Sequence, residues 1–83
     1  MYSVYLSKYA QRQLAKLNDN LELSLLRAIQ ALSVNPRPKG YKKLRGREAY
    51  RIRKGNFRII YEIYDKSLII NVIALGDRKD IYE

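Results

Sequence analysis

The chain has 83 residues, a formal net charge of +9, and neither cysteine nor histidine. This length predicts one domain, and this composition excludes disulfides, thiolate or histidine metal sites, and histidine as a general acid–base. No apolar run reaches the roughly 18 residues of a membrane-spanning helix, and the N-terminal segment lacks the apolar core of a signal peptide. We therefore predict a cytoplasmic protein that uses no metal or other cofactor and spans no membrane.

The first third of the chain has the pattern of one strand followed by two helices. Residues 2–6 alternate between apolar and polar side chains, as a short strand does. Ser7 follows as a helix N-cap, and apolar residues recur at helical spacing between positions 10 and 17. Residues 18–20, Asn-Asp-Asn, end this helix and cap a second one of about four turns. So short a connection predicts an antiparallel helical hairpin.

The segment from residue 35 to residue 46 is a basic connection. Pro36 and Pro38 stop the second helix and bias the chain to an extended form. We expect Leu44 to anchor the connection to the core. Two interpretations remain open for its charge, since a solvated loop and a segment that follows a phosphate backbone have the same composition.

Residues 49–64 predict a β-hairpin with one apolar and one basic face. Arg51, Arg53 and Arg58 fall on the basic face. A two-residue turn at Lys54-Gly55 would pair Arg51 with Arg58. Like charges directly opposite each other destabilise a sheet by a few tenths to about 1 kcal/mol, so the cluster favours a bound anion. Phosphate suits the planar fork of arginine, and the alternative is an ordinary solvated outer face.

The last strand and the tail complete the predicted fold. Residues 65–67 form a turn, residues 68–75 form an apolar strand beside the first one, and Gly76 ends that strand. The prediction is an α+β fold of order β-α-α-β-β-β, with the helical hairpin on one face of a mostly antiparallel four-stranded sheet. In the tail, Arg78 could join the arginine cluster, and Tyr82 could stack on a base.

The net charge is concentrated in the middle of the chain. Residues 37–58 include ten basic residues and one acid, which accounts for the whole excess of +9, and the rest of the chain is neutral. Such a concentration is the footprint of a polyanion-binding surface, for which nucleic acid, an acidic protein and an anionic membrane all qualify. Outside the arginine cluster, the residues expected to bind nucleic acid are Lys39, Lys42, Lys43, Arg45, Arg47 and Lys54.

Four segments, 35–46, 50–53, 57–62 and 76–82, carry a family resemblance through their order and spacing. Together they make the chain similar to the RelE/ParE toxins, the toxin halves of bacterial and archaeal toxin–antitoxin pairs. The resemblance covers essentially the whole of residues 1–83 as one toxin domain. The segment around Arg58 and the terminal tyrosine look more like the RelE branch than the ParE branch.

The resemblance implies a toxin that enters the A site of the 30S ribosomal subunit and cuts mRNA there. In RelE-type toxins the 2′-hydroxyl attacks the adjacent phosphate, which leaves a cyclic phosphate and a 5′-hydroxyl. The resemblance also implies a RelB-like antitoxin with an acidic and apolar binding segment, joined to the toxin in a hetero-oligomer. By analogy, Arg58 and Arg78 hold the scissile phosphate and Tyr82 orients the substrate. The catalytic positions are Arg51, Arg53, Arg58, Arg78 and Tyr82.

Two departures from the family pattern concern the general base. RelE itself has lysines at the positions of Arg51 and Arg53, and arginine is a poor base because it effectively keeps its proton. Many relatives have a histidine where Asp77 stands, which leaves Tyr82 and Asp77 as base candidates. Two other functions therefore stay open: inhibition of DNA gyrase, as by ParE-like toxins, and non-catalytic binding of nucleic acid or ribosomes.

Overall fold

A computed structural model of the chain describes residues 1–77 and residue 79. Within this part the sheet order is β1-β5-β4-β3-β2, with β1 parallel to β5 and the other pairs antiparallel. The predicted α+β class is confirmed. The predicted number of four strands was wrong, because the sheet has a fifth strand of only two residues, which is too short to produce a pattern in the sequence. No helix in the described part is long and apolar enough to cross a membrane. The elements are β1 (Ser3–Leu6), α1 (Lys8–Ala15), α2 (Asp19–Ala31), β2 (Lys42–Lys43), β3 (Tyr50–Lys54), β4 (Phe57–Tyr64) and β5 (Ile69–Asp77).

The two predicted helix caps are confirmed. The Ser7 hydroxyl accepts a hydrogen bond from the backbone N–H of Ala10 at 3.0 Å, and the Asn18 side chain accepts one from that of Leu21 at 2.9 Å. Each bond satisfies a donor that the first turn of a helix leaves without an intrahelical partner. The apolar stripes of both helices pack on one face of the sheet and bury a single main core. Its largest fully buried side chains are Tyr61, Leu25, Leu32, Ile59, Ile70, Leu75 and Val72.

The turn between β3 and β4 lies one residue later than predicted. Gly55 and Asn56 form it, and Lys54 pairs with Phe57 on either side. Gly55 has a φ of +60°, and glycine at the first of two turn positions is the pattern of a type II′ hairpin. The prediction placed glycine at the second turn position, which is where type I′ turns accept it.

The pairing between these strands therefore differs from the predicted one. Arg53 lies opposite Arg58, and Arg51 lies opposite Ile60 rather than Arg58. The predicted Arg51–Arg58 pair was wrong, because the observed register is shifted by two residues along one strand. A shift of two residues keeps every side chain on its own face, so the alternating pattern could not distinguish the two registers.

The last strand is longer than predicted and contains a bulge. It continues through Gly76 to Asp77, because the neighbouring strand offers pairing partners that far. Ile60 pairs with Ala74 whereas Tyr61 pairs with Val72, so Ile73 is the extra residue of a β-bulge. The Ser7 hydroxyl donates a hydrogen bond to the Ile73 carbonyl at 2.9 Å, which ties the bulge to the start of α1.

A second, smaller apolar cluster lies on the sheet face away from the helices. Leu44, Ala49 and Ile60 are buried there, with Ile73 and Ala74 packed against them. Leu44 therefore anchors the basic connection as predicted, although to this cluster rather than to the main core. Its backbone N–H donates to the Ala49 carbonyl at 2.8 Å, which closes the loop between β2 and β3.

Candidate nucleic-acid interface

Four cations from three neighbouring strands share the sheet face away from the helices. Lys42 lies directly opposite Arg51 on β2 and β3, and Arg53 lies directly opposite Arg58 on β3 and β4. Alternation along β3 puts these two pairs on the same side of the sheet, in consecutive rows. We call Lys42, Arg51, Arg53 and Arg58 the basic face.

Within each pair of the basic face, the two positive charges repel each other. The Cβ atoms of residues directly opposite each other in a sheet are about 5 Å apart. When the charged ends of two such side chains lie as close as their Cβ atoms, they repel by roughly 1 kcal/mol in water and roughly 3 kcal/mol at an effective dielectric constant of 20. Arg51 is only 4% exposed, and the Nε atoms of Arg51 and Arg58 are both buried, so solvent screens this repulsion incompletely. A bound anion would convert the repulsion into attraction.

The apolar cluster on this side of the sheet positions Arg51. Leu44 lies two residues after Lys42, and Ala49 lies two residues before Arg51, so both are in the adjacent row of the same face. Ile60 lies directly opposite Arg51. These buried side chains lie around Arg51 and help to keep it only 4% exposed.

The acids next to the basic face are engaged with other residues. Glu48, in the loop between β2 and β3, lies 3.6 Å from the Lys43 ammonium. Glu62, on β4, accepts hydrogen bonds from the Tyr64 hydroxyl at 2.9 Å and from the Asn71 amide at 3.2 Å. Both carboxylates therefore have partners outside the basic face.

The six residues predicted to bind nucleic acid fall into two groups. Lys42 belongs to the basic face, Lys39 lies beside it, and Arg45 and Arg47 are exposed on the loop that continues from β2. Lys43 and Lys54 lie elsewhere. Lys43 pairs with Tyr50 and Lys54 pairs with Phe57, so alternation directs both side chains to the opposite side of the sheet.

A cluster of aromatic residues and Arg37 lies on the helix side of the sheet, across β3 from the basic face, and the sequence prediction did not include it in the site. The Arg37 guanidinium contacts both carboxylate oxygens of Asp65, at 3.2 and 2.9 Å, and lies 5.8 Å from the centre of the Tyr50 ring. Hydrogen bonds from Arg37 and from the Tyr2 hydroxyl hold the pKa of Asp65 below its usual value. Arg37 and Asp65 are 28 positions apart, and Tyr2 and Asp65 are 63 apart, so only the fold reveals these contacts.

Comparison with known proteins identifies the family. A sequence model described as the ParE toxin of type II toxin–antitoxin systems matches residues 4–82. The chain belongs to this ParE toxin family, within the RelE/ParE superfamily. The predicted family is thereby confirmed.

The toxin is similar to RelE proteins in both sequence and structure. A RelE-like toxin protein of Escherichia coli is 31% identical over 86 residues, which cover 98% of this toxin and 90% of that protein. A chain of the archaeal RelE–RelB complex from Pyrococcus horikoshii superposes with a TM-score of 0.83 at 27% identity, covering 96% of this toxin and 98% of that chain. A chain of the RelBE2 toxin–antitoxin complex from Mycobacterium tuberculosis gives a TM-score of 0.82 at 25% identity, with coverages of 93% and 98%. The protein is thus a RelE-like toxin of the type II toxin–antitoxin class.

The family resemblance assigned catalytic positions to five residues of this toxin, and the fold brings three of them together. Arg51, Arg53 and Arg58 share the basic face. Arg78 and Tyr82 lie outside the described residues.

Asp77, one of the two base candidates, lies on the other side of the sheet in this toxin. It pairs with Phe57, and it lines surface grooves with Phe57 and Leu21 on the side of the helices. Its carboxylate accepts a hydrogen bond from the backbone N–H of Lys79 at 3.0 Å. The sheet therefore separates Asp77 from the basic face, which a count along the sequence could not show because it depends on the register of β4 and β5.

Proposed function

We propose that this toxin is a ribosome-dependent endoribonuclease that cuts mRNA in the A site and so inhibits translation. The observation that carries the proposal is the basic face, in which two pairs of like charges occupy consecutive rows of one sheet surface. Like charges directly opposite each other are unfavourable in a sheet, and a phosphodiester bound between them is attracted to both. The chain is similar to RelE-like toxins, and the mRNA cleavage that the family resemblance implies makes RNA the proposed source of that phosphate.

In the proposed reaction, one bond to phosphorus forms and one bond to phosphorus breaks. The 2′-oxygen forms a bond to the adjacent phosphorus, the bond from phosphorus to the 5′-oxygen breaks, and a 2′,3′-cyclic phosphate and a 5′-hydroxyl result. The proton of the 2′-hydroxyl passes to a general base, and the departing 5′-oxygen takes up a proton. Negative charge builds on the non-bridging oxygens in between, and cations preorganised at that position lower the barrier.

The basic face supplies the charge stabilisation in this reaction. Arg53 and Arg58 are placed to hold the phosphate between them, and the buried Arg51 is the most rigidly positioned of the cations. None of these arginines serves as the base, because arginine effectively keeps its proton. In this proposal the base is Tyr82 or a group that the ribosome or the mRNA itself provides.

The proposed partners are the ribosome, mRNA and an antitoxin. The complexes of the structural relatives contain RelB antitoxins. We expect a RelB-like chain with acidic and apolar residues, because such a segment would neutralise the basic face while the toxin is held inactive in a hetero-oligomer. An activity on ribosomes also places the toxin, as one domain of residues 1–83, in the cytoplasm.

Growth inhibition after induced expression tests the assignment of the site. We expect Arg58→Ala and Arg78→Ala to abolish growth inhibition while circular dichroism shows an intact fold. Lys66→Ala, which removes one positive charge from the exposed turn between β4 and β5, is the matched control and should stay toxic. Toxicity that persists in both arginine variants would show that the site is elsewhere.

A second function, inhibition of DNA gyrase, is favoured by the match to the ParE toxin model. It would not use the basic face as a catalytic unit. Gyrase-dependent DNA breaks in cells whose mRNA remains intact would support this function over the first.

A third function, binding to RNA or ribosomes without cleavage, is favoured by the chemistry of Arg51 and Arg53. These two arginines cannot act as the base that a lysine of lowered pKa can provide. Stable binding of the toxin to ribosomes that carry uncut mRNA would support this function.

A further inference from the structure

An open groove lies between α2 and the edge of β3. Its volume is about 690 Å³, within the range of sites that hold small ligands. The groove exists because β2 has only two residues, so the edge of β3 beyond Arg51 has no neighbouring strand among the described residues. Ala28 and Ala31 of α2 form its apolar floor, and Tyr41 stands at its wall.

The Tyr41 ring is supported from behind by a series of aromatic rings. Its centre lies 6.1 Å from that of Tyr50, which lies 6.0 Å from that of Tyr61. Tyr61 is fully buried, and its hydroxyl donates a hydrogen bond to the Pro36 carbonyl at 2.6 Å. Of the three rings, Tyr41 is the exposed one, with 38% of its surface accessible. The groove thus presents an aromatic ring whose position the core fixes.

Arg37 fixes the middle ring of the series. Its guanidinium lies over Tyr50 at 5.8 Å and is held by both oxygens of the Asp65 carboxylate. A cation over an aromatic ring at this distance stabilises the arrangement. The support of Tyr41 is therefore independent of any ligand.

The charges around the groove favour a nucleic acid strand. Lys39, Lys42, Arg51 and Arg53 line it, and no acidic residue does so within the described part of the chain. A groove with cations and an accessible aromatic ring is the combination that binds single-stranded nucleic acid, with phosphates on the cations and a base on the ring. An acidic peptide would use the cations but would not need the ring.

We propose that Tyr41 is a base-stacking site for a nucleotide that neighbours the phosphate on the basic face. The groove lies on the helix side of the sheet, and the basic face lies on the other side. The two meet at the free edge of β3, where Lys42, Arg51 and Arg53 line the groove, so one RNA strand that passes around this edge can occupy both. This proposal rests on the proposed function, because it takes RNA as the ligand. It adds Tyr41 to the residues that contact the RNA, and the family resemblance did not assign Tyr41 a role.

A tryptophan at position 41 makes the stacking directly measurable. The chain contains no tryptophan, so Tyr41→Trp introduces a single reporter whose fluorescence a stacked base quenches. Tyr5→Trp is the matched control, because Tyr5 is 58% exposed and lies on β1, at the opposite edge of the sheet. Each purified full-length variant is titrated with a short single-stranded RNA, and polarisation of the same RNA, labelled at one end, reports binding independently.

We expect saturable quenching of Tyr41→Trp and no quenching of Tyr5→Trp, with similar RNA affinity for both. Binding seen by polarisation without quenching at position 41 would overturn the stacking site and leave the proposed function in place. Absence of RNA binding by both folded variants and by the unmodified toxin would overturn the stacking site together with direct RNA recognition. Quenching of Tyr41→Trp by an oligoglutamate but not by RNA would instead identify the groove as a peptide site.

Affinity measurements provide a second test that does not depend on the reporter. Stacking on an aromatic ring contributes enough that Tyr41→Ala should weaken RNA binding roughly 5- to 150-fold. Tyr41→Phe keeps the ring and should bind as the unmodified toxin does. Equal loss of affinity in both variants would contradict stacking, because it would assign the effect to the hydroxyl.

Discussion

Arg53 and Arg58 lie directly opposite each other across the β3–β4 hairpin, on the sheet face away from the helices. The preceding row of the same face holds a second pair of like charges, Lys42 and Arg51. Sheets avoid such pairs because the charges repel at close range. We interpret the arrangement as a surface whose stability is lowered in the absence of a ligand and restored by an anion.

Reversing one charge of the pair should separate stability from function. In Arg53→Glu the pair becomes attractive, so we expect the free energy of unfolding to increase by about 1 kcal/mol. The same change should abolish RNA binding and toxicity, because it places a carboxylate where a phosphate binds. Urea denaturation and RNA polarisation measure the two effects. Lys66→Glu is the control for net charge, and equal stabilisation in both variants would contradict repulsion within the pair.

The two helix caps should differ in their contribution to stability. Ser7→Ala removes the cap of α1 and also the hydrogen bond from the hydroxyl to the Ile73 carbonyl in the bulge. Asn18→Ala removes only the cap of α2. We expect destabilisation by about 2 kcal/mol for Ser7→Ala and about 1 kcal/mol for Asn18→Ala. Equal values from urea denaturation would mean that the bond to the bulge contributes nothing.

The buried Tyr61 should make stability sensitive to alkaline pH. Burial raises the pKa of Tyr61 to about 12, whereas the unfolded chain has the ordinary value of 10.0. The unfolded chain therefore loses this proton first, and the contribution of Tyr61 to stability is complete below pH 10 and is lost as the pH rises toward 12.

Replacing the Tyr61 hydroxyl tests this dependence. Tyr61→Phe should be less stable at pH 7 by about 1 to 2 kcal/mol, because the Pro36 carbonyl loses its donor. Its stability should fall less steeply between pH 10 and 12 than that of the unmodified toxin. Tyr5→Phe, at an exposed position, is the control, and unchanged steepness in Tyr61→Phe would contradict the account.

The ion pair between Arg37 and Asp65 should make the stability of the toxin sensitive to acidic pH. Because the pKa of Asp65 is lowered by the hydrogen bond from Arg37 and then by that from Tyr2, its contribution is complete above the unfolded pKa and is lost as the pH falls through the folded value. Asp65→Asn should therefore reduce the loss of stability on acidification, as followed by thermal unfolding between pH 5 and 2. The same variant should also weaken RNA binding, because Arg37 loses the carboxylate that holds it over Tyr50, the ring behind Tyr41.

The sequence predicted those features that a local pattern determines. Helical spacing and the side chains of Ser7 and Asn18 located both helices and their caps. Alternation correctly placed Arg51, Arg53 and Arg58 on one face, because the face depends only on parity along the strand. These features need no information about distant parts of the chain.

The features that the sequence missed depend on contacts between distant residues. The pairing of Lys42 with Arg51 requires β2, whose two residues are too few for a periodic signal. The register of the hairpin depends on which turn type Gly55 adopts, and the two alternatives preserve the same alternation. The side of the sheet on which Asp77 lies follows from the pairing of β4 with β5. Each of these is set by the sheet as a whole.

The central claim is that the basic face lets the toxin cut mRNA on the ribosome. The most direct test is primer extension on an mRNA bound to ribosomes with a filled P site and an empty A site, with and without the purified toxin. We predict new ends inside the A-site codon, which disappear when ribosomes are omitted or when Arg58→Ala replaces the toxin. A folded toxin that binds these ribosomes and produces no new ends would contradict the claim.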